Sequence, residues 1–341
     1  MSDKQEERYS RQMLFAPIGV EGQKRLQESR VLIVGVGALG TVLANHLVRA
    51  GVGFVRFVDR DYVEASNLQR QMLFDENDVK ESVPKAIAAE RKLGAINSSV
   101  RVEGVIADAT RENIEELMDG VDLVLDGTDN FETRFLLNDA CYQKGIPFVY
   151  GGAVSSRGMS AMFVPGKTPC LRCFINGGQA SGQTCDTVGV VSPIVDIVAS
   201  YQVMEALKYL VGAEDAFRNS LLTIDVWRHH QYEMKFKKPK EQCPTCQQKV
   251  YPALKEEAGD RVTSLCGRET VQIQSGYPFD LQDWAARLRK VAKDVKETPF
   301  LLRVHLQEGE RLVLFKDGRV LVQGTEDIAR AKSLYSKYIG M

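Results

Sequence analysis

A mostly parallel α/β sheet, extended by antiparallel strands and followed by a small α+β unit, is the fold class that the sequence predicts. Three observations carry it. Residues 30–59 read as an apolar run, a glycine-rich turn, a stretch of helical periodicity and a second apolar run. Further apolar runs at 121–126 and 147–150 alternate with helical patterns, as βα units do. From residue 151 the alternation gives way to hairpin-like sequence, and a separate strand-and-helix pattern fills 263–341.

The 341 residues are 44% hydrophobic and 26% charged, enough for the cores of two or three domains. The expected division is an N-terminal arm (1–29), a main domain (30–246), a linker (247–262) and the small unit (263–341). A net charge of −1 gives no electrostatic case for nucleic acid or an anionic membrane surface. No apolar run approaches the ~18 residues of a membrane span. The charged start, MSDKQEERYSRQ, has no apolar signal core, so a cytoplasmic protein is expected. Seven cysteines is an odd number, and four sit in two C-x-x-C pairs. In a reducing compartment that spacing reads as metal, not disulfide.

Along the chain, residues 1–29 are polar and read by composition as a solvated arm. Residues 31–34 fit a buried parallel strand. Gly35, Gly37 and Gly40 follow in G-x-G-x-x-G spacing, with Ala38 inside the motif. Leu39, Val42, Leu43, Leu47 and Val48 then recur at helical period. Residues 54–58 form a second strand, closed by Asp59. Asp61 follows, and Asn67 and Arg70 sit on a polar segment emerging beside the same edge. Pro84 suits the start of a helix that carries Lys85. Residues 100–106 alternate like a strand, and Thr110 is placed to cap an acidic helix. The strand at 121–126 ends in Gly127-Thr128-Asp129-Asn130. Ligands of open α/β sheets bind at that edge, so Asp129 and Asn130 belong to the crevice of the glycine loop. Residues 151–166 read as a hairpin, 192–210 as a helix and 221–227 as a strand. The last unit reads as βαββα, with a hairpin at Lys316-Asp317-Gly318 and Thr325 capping the final helix.

Residues 30–59 thus make a nucleotide-binding βαβ unit. Glycines let the backbone approach a phosphate, the helix N-terminus faces the anion, and Asp59 can bind ribose hydroxyls. Alone, this motif serves NAD as well as ATP. Cys170/Cys173 and Cys243/Cys246 supply four thiolates, which complete a closed, structural tetrahedral zinc site. Cys185 lies in a Gly/Ser/Gln/Thr-rich stretch; by residues alone it is an incidental thiol or a nucleophile toward an activated carboxyl or a persulfide. Cys141 and Cys266 read as core. The four histidines show no ligand spacing, and no Ser/His/Asp arrangement suggests a hydrolase.

Ten motifs occur in order: RYSRQ, G-x-G-x-L-G, AGVG, VDRDYV, SNLQRQ, PKA, DGTDNFETRFLLND, CLRC, TCDTVGV and CPTC. Together they resemble the ThiF/MoeB/HesA family of adenylyltransferases, relatives of the ubiquitin-activating enzymes, over residues 8–246. The C-terminal unit resembles the extension of Bacillus-type members of the thiazole-biosynthesis branch. The resemblance implies a Rossmann-like ATP-binding fold and ATP-dependent adenylylation of a ubiquitin-like sulfur carrier ending in Gly-Gly. It implies that Arg70 and Lys85 bind phosphates and Asn67 orients them. Asp59 would hold the ribose, Asp61 is a second acid, and Asp129 would hold Mg²⁺. Arg11 is similar to the family arginine that enters the neighbouring subunit's site, which implies a homodimer. Cys185 matches a loop cysteine that links covalently to the carrier in some members. Ala38 departs from the glycine often found there.

The leading expectation is therefore a thiazole-branch enzyme using ATP, Mg²⁺ and structural Zn²⁺, with a cysteine desulfurase or another protein as sulfur donor. A MoeB-type enzyme activating the small subunit of molybdopterin synthase is the alternative. An NAD-dependent oxidoreductase and a catalytically dead carrier-binding module are more remote.

Overall fold

In the computed structural model, residues 3–175, 188–255, 262–265 and 269–340 are described. The first strand, β1 (Arg30–Val34), is buried on both faces. Helix α3 (Ala38–Ala50) follows it and leads into β2 (Phe54–Asp59). Before them lie α1 (Asp3–Met13) and α2 (Gly19–Glu28); after them α4 (Glu76–Glu81), α5 (Lys85–Ile96) and β3 (Arg101–Ile106). Helix α6 (Ile114–Leu117), β4 (Leu123–Asp126) and α7 (Phe131–Lys144) complete the parallel half. Strands β5 (Phe148–Val154) and β6 (Arg157–Phe163), helix α8 (Ser192–Val211), and strands β7 (Ser220–Asp225) and β8 (His230–Lys235) then extend the sheet.

The eight strands lie in the order β3-β2-β1-β4-β5-β6-β7-β8. The first five are mutually parallel and the last three pairings are antiparallel. This is the mixed, Rossmann-like sheet expected from the sequence. Helices α3, α5 and α8, with Leu26 of α2, fill one face; α6, α7 and the cysteine pairs fill the other. Doubly covered strands read as continuous apolar runs for this reason. The chain reverses its winding between β1 and β4, which opens a crevice at their carboxyl ends.

At that point the backbone closes on itself. Gly35 has φ +86°, a conformation that glycine adopts without strain. A Cβ on Gly35 would lie 2.8 Å from the Gly127 carbonyl oxygen. A Cβ on Gly40 or on Gly127 would collide with the Gly35 carbonyl oxygen. Three glycines therefore let the first turn of α3 sit directly on β1 and the end of β4. Gly37 differs: within 4 Å of its missing Cβ the nearest atom is Gln71 Nε2 at 3.8 Å.

Several local readings change. Residues 3–28 are not a solvated arm. Tyr9 and Gln23 are buried; Asn97 Nδ2 donates to Tyr9 Oη (2.9 Å), and Gln12 and Gln23 both donate to Ala50 O. The acidic helix is shorter than its pattern and begins after Asn113, not Thr110. Strand β8 escaped notice because every residue is exposed on this sheet edge, so it has no apolar alternation. Within 247–262, helix α9 (Pro252–Lys255) packs on α7, and Ala253 N donates to Asp139 Oδ2 (2.9 Å).

A second compact unit spans Glu256–Met341, the first being Met1–Lys255. It holds β9 (Val262–Leu265), β10 (Thr270–Gln274), α10 (Leu281–Leu288), β11 (Asp294–Glu297), β12 (Leu301–His305), β13 (Arg311–Phe315), β14 (Arg319–Gln323) and α11 (Ile328–Tyr338). Its sheet is antiparallel, in the order β11-β12-β13-β14-β10-β9. The stretch read as one strand at its start is two, paired antiparallel. The cap of α11 is Asp327, which accepts from Ala329 N and Arg330 N, while Thr325 Oγ1 accepts from Asp327 N.

The glycine contacts have a direct consequence. Gly40→Ala is expected to lower stability by about 3 kcal/mol, the range of overpacked cores. Gly37→Ala is expected to cost about 1 kcal/mol or less. Urea unfolding of the two variants checks the order.

Candidate functional site

Residues from four segments meet at the carboxyl edge of the parallel strands. The glycine loop leaves β1; Asp59 ends β2; Asp129 and Asn130 follow β4; and Asn67 and Arg70 come from the turn after β2. Asp59 is nearly buried. Its Oδ2 accepts from Val36 N (2.7 Å) and its Oδ1 from Asp61 N (2.8 Å). It therefore pins the glycine loop to β2, and each oxygen keeps a second lone pair for a hydroxyl. Burial pushes the Asp59 carboxyl up; Lys85 pulls it back down. Lys85, 4% exposed, starts α5 and places Nζ 3.2 Å from Asp61 Oδ2. Its amide also donates to Asp61 O (2.9 Å).

Asn67 is buried in a one-turn 3₁₀ segment, Ala65–Asn67, and its Oδ1 accepts from Glu64 N (3.1 Å). Arg70 follows three residues later, and its Nη1 donates to Ser66 O (2.9 Å). Ala38 is the first residue of α3, and Gly37 is its N-cap. The helix dipole thus points its positive end at the space over Gly37. Asn130 is the N-cap of α7 and accepts from Thr133 N (2.8 Å), so it orders the loop that carries Asp129. Asp129 itself is exposed.

Arg11 is not brought to this edge. It is exposed on α1, between Tyr9 and Gln12, which pack at the Ala50–Gly51 end of α3. The glycine loop is at the other end of that 13-residue helix, roughly 20 Å away. Cys185 lies outside the described residues.

The loop after β4 is held by a cluster that the sequence reading did not single out. Asp126, fully buried, accepts from Thr128 N (2.8 Å) and Thr128 Oγ1 (2.7 Å) on Oδ1, and from Arg134 Nε (3.0 Å) on Oδ2. Arg134 Nη2 donates to Thr128 O (2.7 Å) and Gly151 O (3.1 Å). Gln202, on the buried face of α8, donates to Asp126 O (2.8 Å). The usable signals were polar residues among the buried positions of these helices: Arg134, Asn138 and Asp139 on α7, and Gln202 and Glu205 on α8. Burial pushes the Asp126 carboxyl up; the charge of Arg134, then the hydrogen bonds from Thr128, oppose this.

On the other face of the sheet, Cys170, Cys173, Cys243 and Cys246 place their sulfurs within 4.8 Å of one another. Cys170 and Cys243 are 3.5 Å apart, as are Cys173 and Cys246. A tetrahedron with metal–sulfur bonds of about 2.3 Å has edges of roughly 3.8 Å, so four thiolates here fit a zinc ion. Asp139, fully buried, braces both pairs: it accepts from Arg172 Nε (3.0 Å) and Nη2 (2.9 Å) and from Thr245 Oγ1 (2.6 Å). Cys141 is a buried core thiol, pushed far up by desolvation.

The Asp126–Arg134 pair yields a test. Arg134→Met strands a buried carboxylate and is expected to cost about 3–5 kcal/mol. Burial already holds the Asp126 carboxyl above its ordinary range with Arg134 in place, and losing that partner raises it further. The variant must then lose stability as pH rises beyond the ordinary carboxylate range. Unfolding curves at pH 5 and pH 8 should show the larger deficit at pH 8, and Asp126→Asn in the same chain should remove the pH dependence.

With this geometry in view, comparison with known proteins is direct. Residues 9–245 match the model of the ThiF family. The sulfur carrier protein ThiS adenylyltransferase of Bacillus subtilis is 49% identical over 336 residues, 98% of this chain and 99% of that protein. The sulfur carrier protein adenylyltransferase of Thermus thermophilus is 39% identical over 251 residues, 70% of this chain and 90% of that one. Among solved structures, Escherichia coli MccB shares the fold, with a TM-score of 0.63 at 23% identity over 72% of this chain and 75% of its own. The chain belongs to the ThiF family.

Proposed function

We propose that the chain transfers AMP from ATP to the C-terminal glycine carboxylate of a ubiquitin-like, ThiS-like sulfur carrier and releases pyrophosphate. The product would serve sulfur transfer in thiazole synthesis for thiamine, in the cytoplasm. The observation that carries this is the 49% identity running through both units to the protein named for that reaction in Bacillus subtilis. The adenylyltransferase and sulfurtransferase MOCS3 of Anopheles gambiae is 34% identical over 70% of this chain and 54% of its own length. The higher identity and full-length match to the Bacillus subtilis protein favour the thiazole branch over the MoeB type.

The chemistry suits the residues. A carrier carboxylate is already ionised at neutral pH. Its oxygen attacks the α-phosphorus, the bond to the β-phosphate oxygen breaks, and pyrophosphate leaves with the electron pair. No general base is required; positioning and neutralisation of phosphate charge are. Lys85 and Arg70 supply positive charge beside the helix N-terminus, Asn67 orients the phosphates, and Asp59 takes the ribose. Asp129 would hold Mg²⁺, which neutralises triphosphate charge when bound. Asp61 holds Lys85 in place. Hydride transfer needs none of these cations, so the oxidoreductase reading lacks support.

Four cysteines would hold Zn²⁺ as a structural staple between the loop after β6 and the segment after β8. Arg11, displaced by a helix length from its own glycine loop, fits a homodimer in which it serves the second copy's site. The main domain would span 30–246, with the unit at 263–341 as an appendage. A cysteine desulfurase or a similar protein would deliver sulfur.

ATP–pyrophosphate exchange stimulated by a Gly-Gly-ended carrier is the decisive assay; no stimulation by any such carrier would sink the proposal. Stimulation only by a molybdopterin-synthase-type carrier would move the chain to the MoeB branch. Asp129→Ala is expected to slow exchange by about 10²–10³-fold, the cost of a lost charge-stabilising group, with unfolding unchanged. Metal analysis should find close to one zinc per chain, and a strong chelator should lower the unfolding midpoint. Metal-free protein of undiminished stability would remove the staple.

A further inference from the structure

We propose that Gln71 is a direct phosphate ligand, whose side-chain amide holds the phosphate group that lies over Gly37. The proposal deepens the adenylate-forming reading and rests on it for the presence of a phosphorylated nucleotide in the loop.

Three observations converge on this residue. Its side chain is 4% exposed, yet Oε1 has no hydrogen-bond partner among the described residues. Buried polar groups are almost always paired, so an unpaired amide oxygen beside a crevice calls for a reason. The second observation is location. Cβ atoms built on Gly35, Gly40 and Gly127 run into backbone, so those glycines serve the protein's own packing. Among the described residues, and apart from its own helix and chain neighbours, a Cβ built on Gly37 would meet only the Nε2 of Gln71, at 3.8 Å. That second glycine is where a nucleotide-binding loop brings its backbone nearest to a phosphate. The third observation is support. Gln71 N donates to Asn67 O (3.0 Å), and Gln71 O accepts from Phe74 N (3.1 Å). Asn67 is itself bonded to Glu64 N. Arg70 N donates to the same Asn67 carbonyl (3.1 Å), so one anchor holds both residues.

The chemistry follows from the amide. Nε2 offers two donors and Oε1 two acceptor lone pairs. Nε2–H is suited to a non-bridging phosphate oxygen. Oε1 is suited to a hydroxyl or water that arrives with the ligand. Arg70 and Lys85 attract a polyanion through full charge, which depends weakly on direction. A neutral amide on a fixed turn adds direction without further charge. A glutamate at this position would match its size but would be an acceptor only, and anionic beside phosphate.

The test is equilibrium binding of ATP, AMP and adenosine to the full chain, measured by calorimetry without any carrier. Gln71→Glu should weaken ATP and AMP at least tenfold and adenosine less than twofold. Gln71→Met should show the same order with a smaller loss. Equal losses for all three ligands would mean a packing role and would overturn the proposal, as would unchanged ATP affinity. A wild type that binds ATP no better than adenosine would overturn it too. Should Gln71→Glu fail to fold, the ATP-to-adenosine ratio of Gln71→Met decides. Carrier-stimulated exchange is not read here, so a failed adenylylation assay and a failed Gln71 assignment remain separate results.

Discussion

Everything at the crevice depends on one backbone contact, the mutual approach of Gly35, Gly40 and Gly127. It joins β1, the first turn of α3 and the end of β4 with no side chain between them. That closeness fixes where the helix N-terminus points. It also sets how far the loop carrying Asp129 stands from the loop carrying Gly37. A methyl group at Gly40 would push α3 off β1 and spread both loops. The fold and the site are therefore one constraint: the crevice is at the topological switch, and the switch is where the glycines are.

Around that contact the buried charges are closed locally. Asp126 is answered by Arg134 and Thr128, Asp59 by two backbone amides, and Asp139 by Arg172, Thr245 and Ala253 N. Asp59 ties β2 to the glycine loop, and Asp139 ties α7 to both cysteine segments and to α9, across 23 to 114 residues of sequence. Arg134 reaches from α7 to both Thr128 and Gly151, so the β4 loop cannot move without breaking a charge-assisted bond. Such pairs add little net stability over apolar packing, but breaking one is costly. Their use here is to hold loops in one geometry.

The sequence was most legible where burial is two-sided. Strands β1 and β4 are continuous apolar runs, β2 is one broken only by Arg56, and the C-x-x-C spacing announced a cluster that the structure brings together. It was least legible where the physics is local or one-sided. Strand β8 has no buried face to impose alternation. Thr325 and Asp327 are both good caps, and only backbone geometry chose Asp327. Arg134 and Gln202 carried no role in the sequence because their partners are carbonyls and a carboxylate outside their own helices. Gly127 read only as the residue that follows the strand; its role is to accept the backbone of Gly35, which no one-dimensional pattern records.

Arg11 shows how far placement constrains mechanism. Its neighbours Tyr9 and Gln12 are fastened to Gly51, Asn97 and Ala50, at the C-terminal end of α3. The phosphate-facing end of the same helix is 13 residues away, and an arginine side chain is far too short to cover that distance. The fastening is buried and made of several hydrogen bonds, so α1 does not swing free. If Arg11 neutralises phosphate charge, it must do so for a second copy of the chain. Two copies would then each be incomplete alone, and activity should depend on protein concentration in a way that no change at the glycine loop could produce.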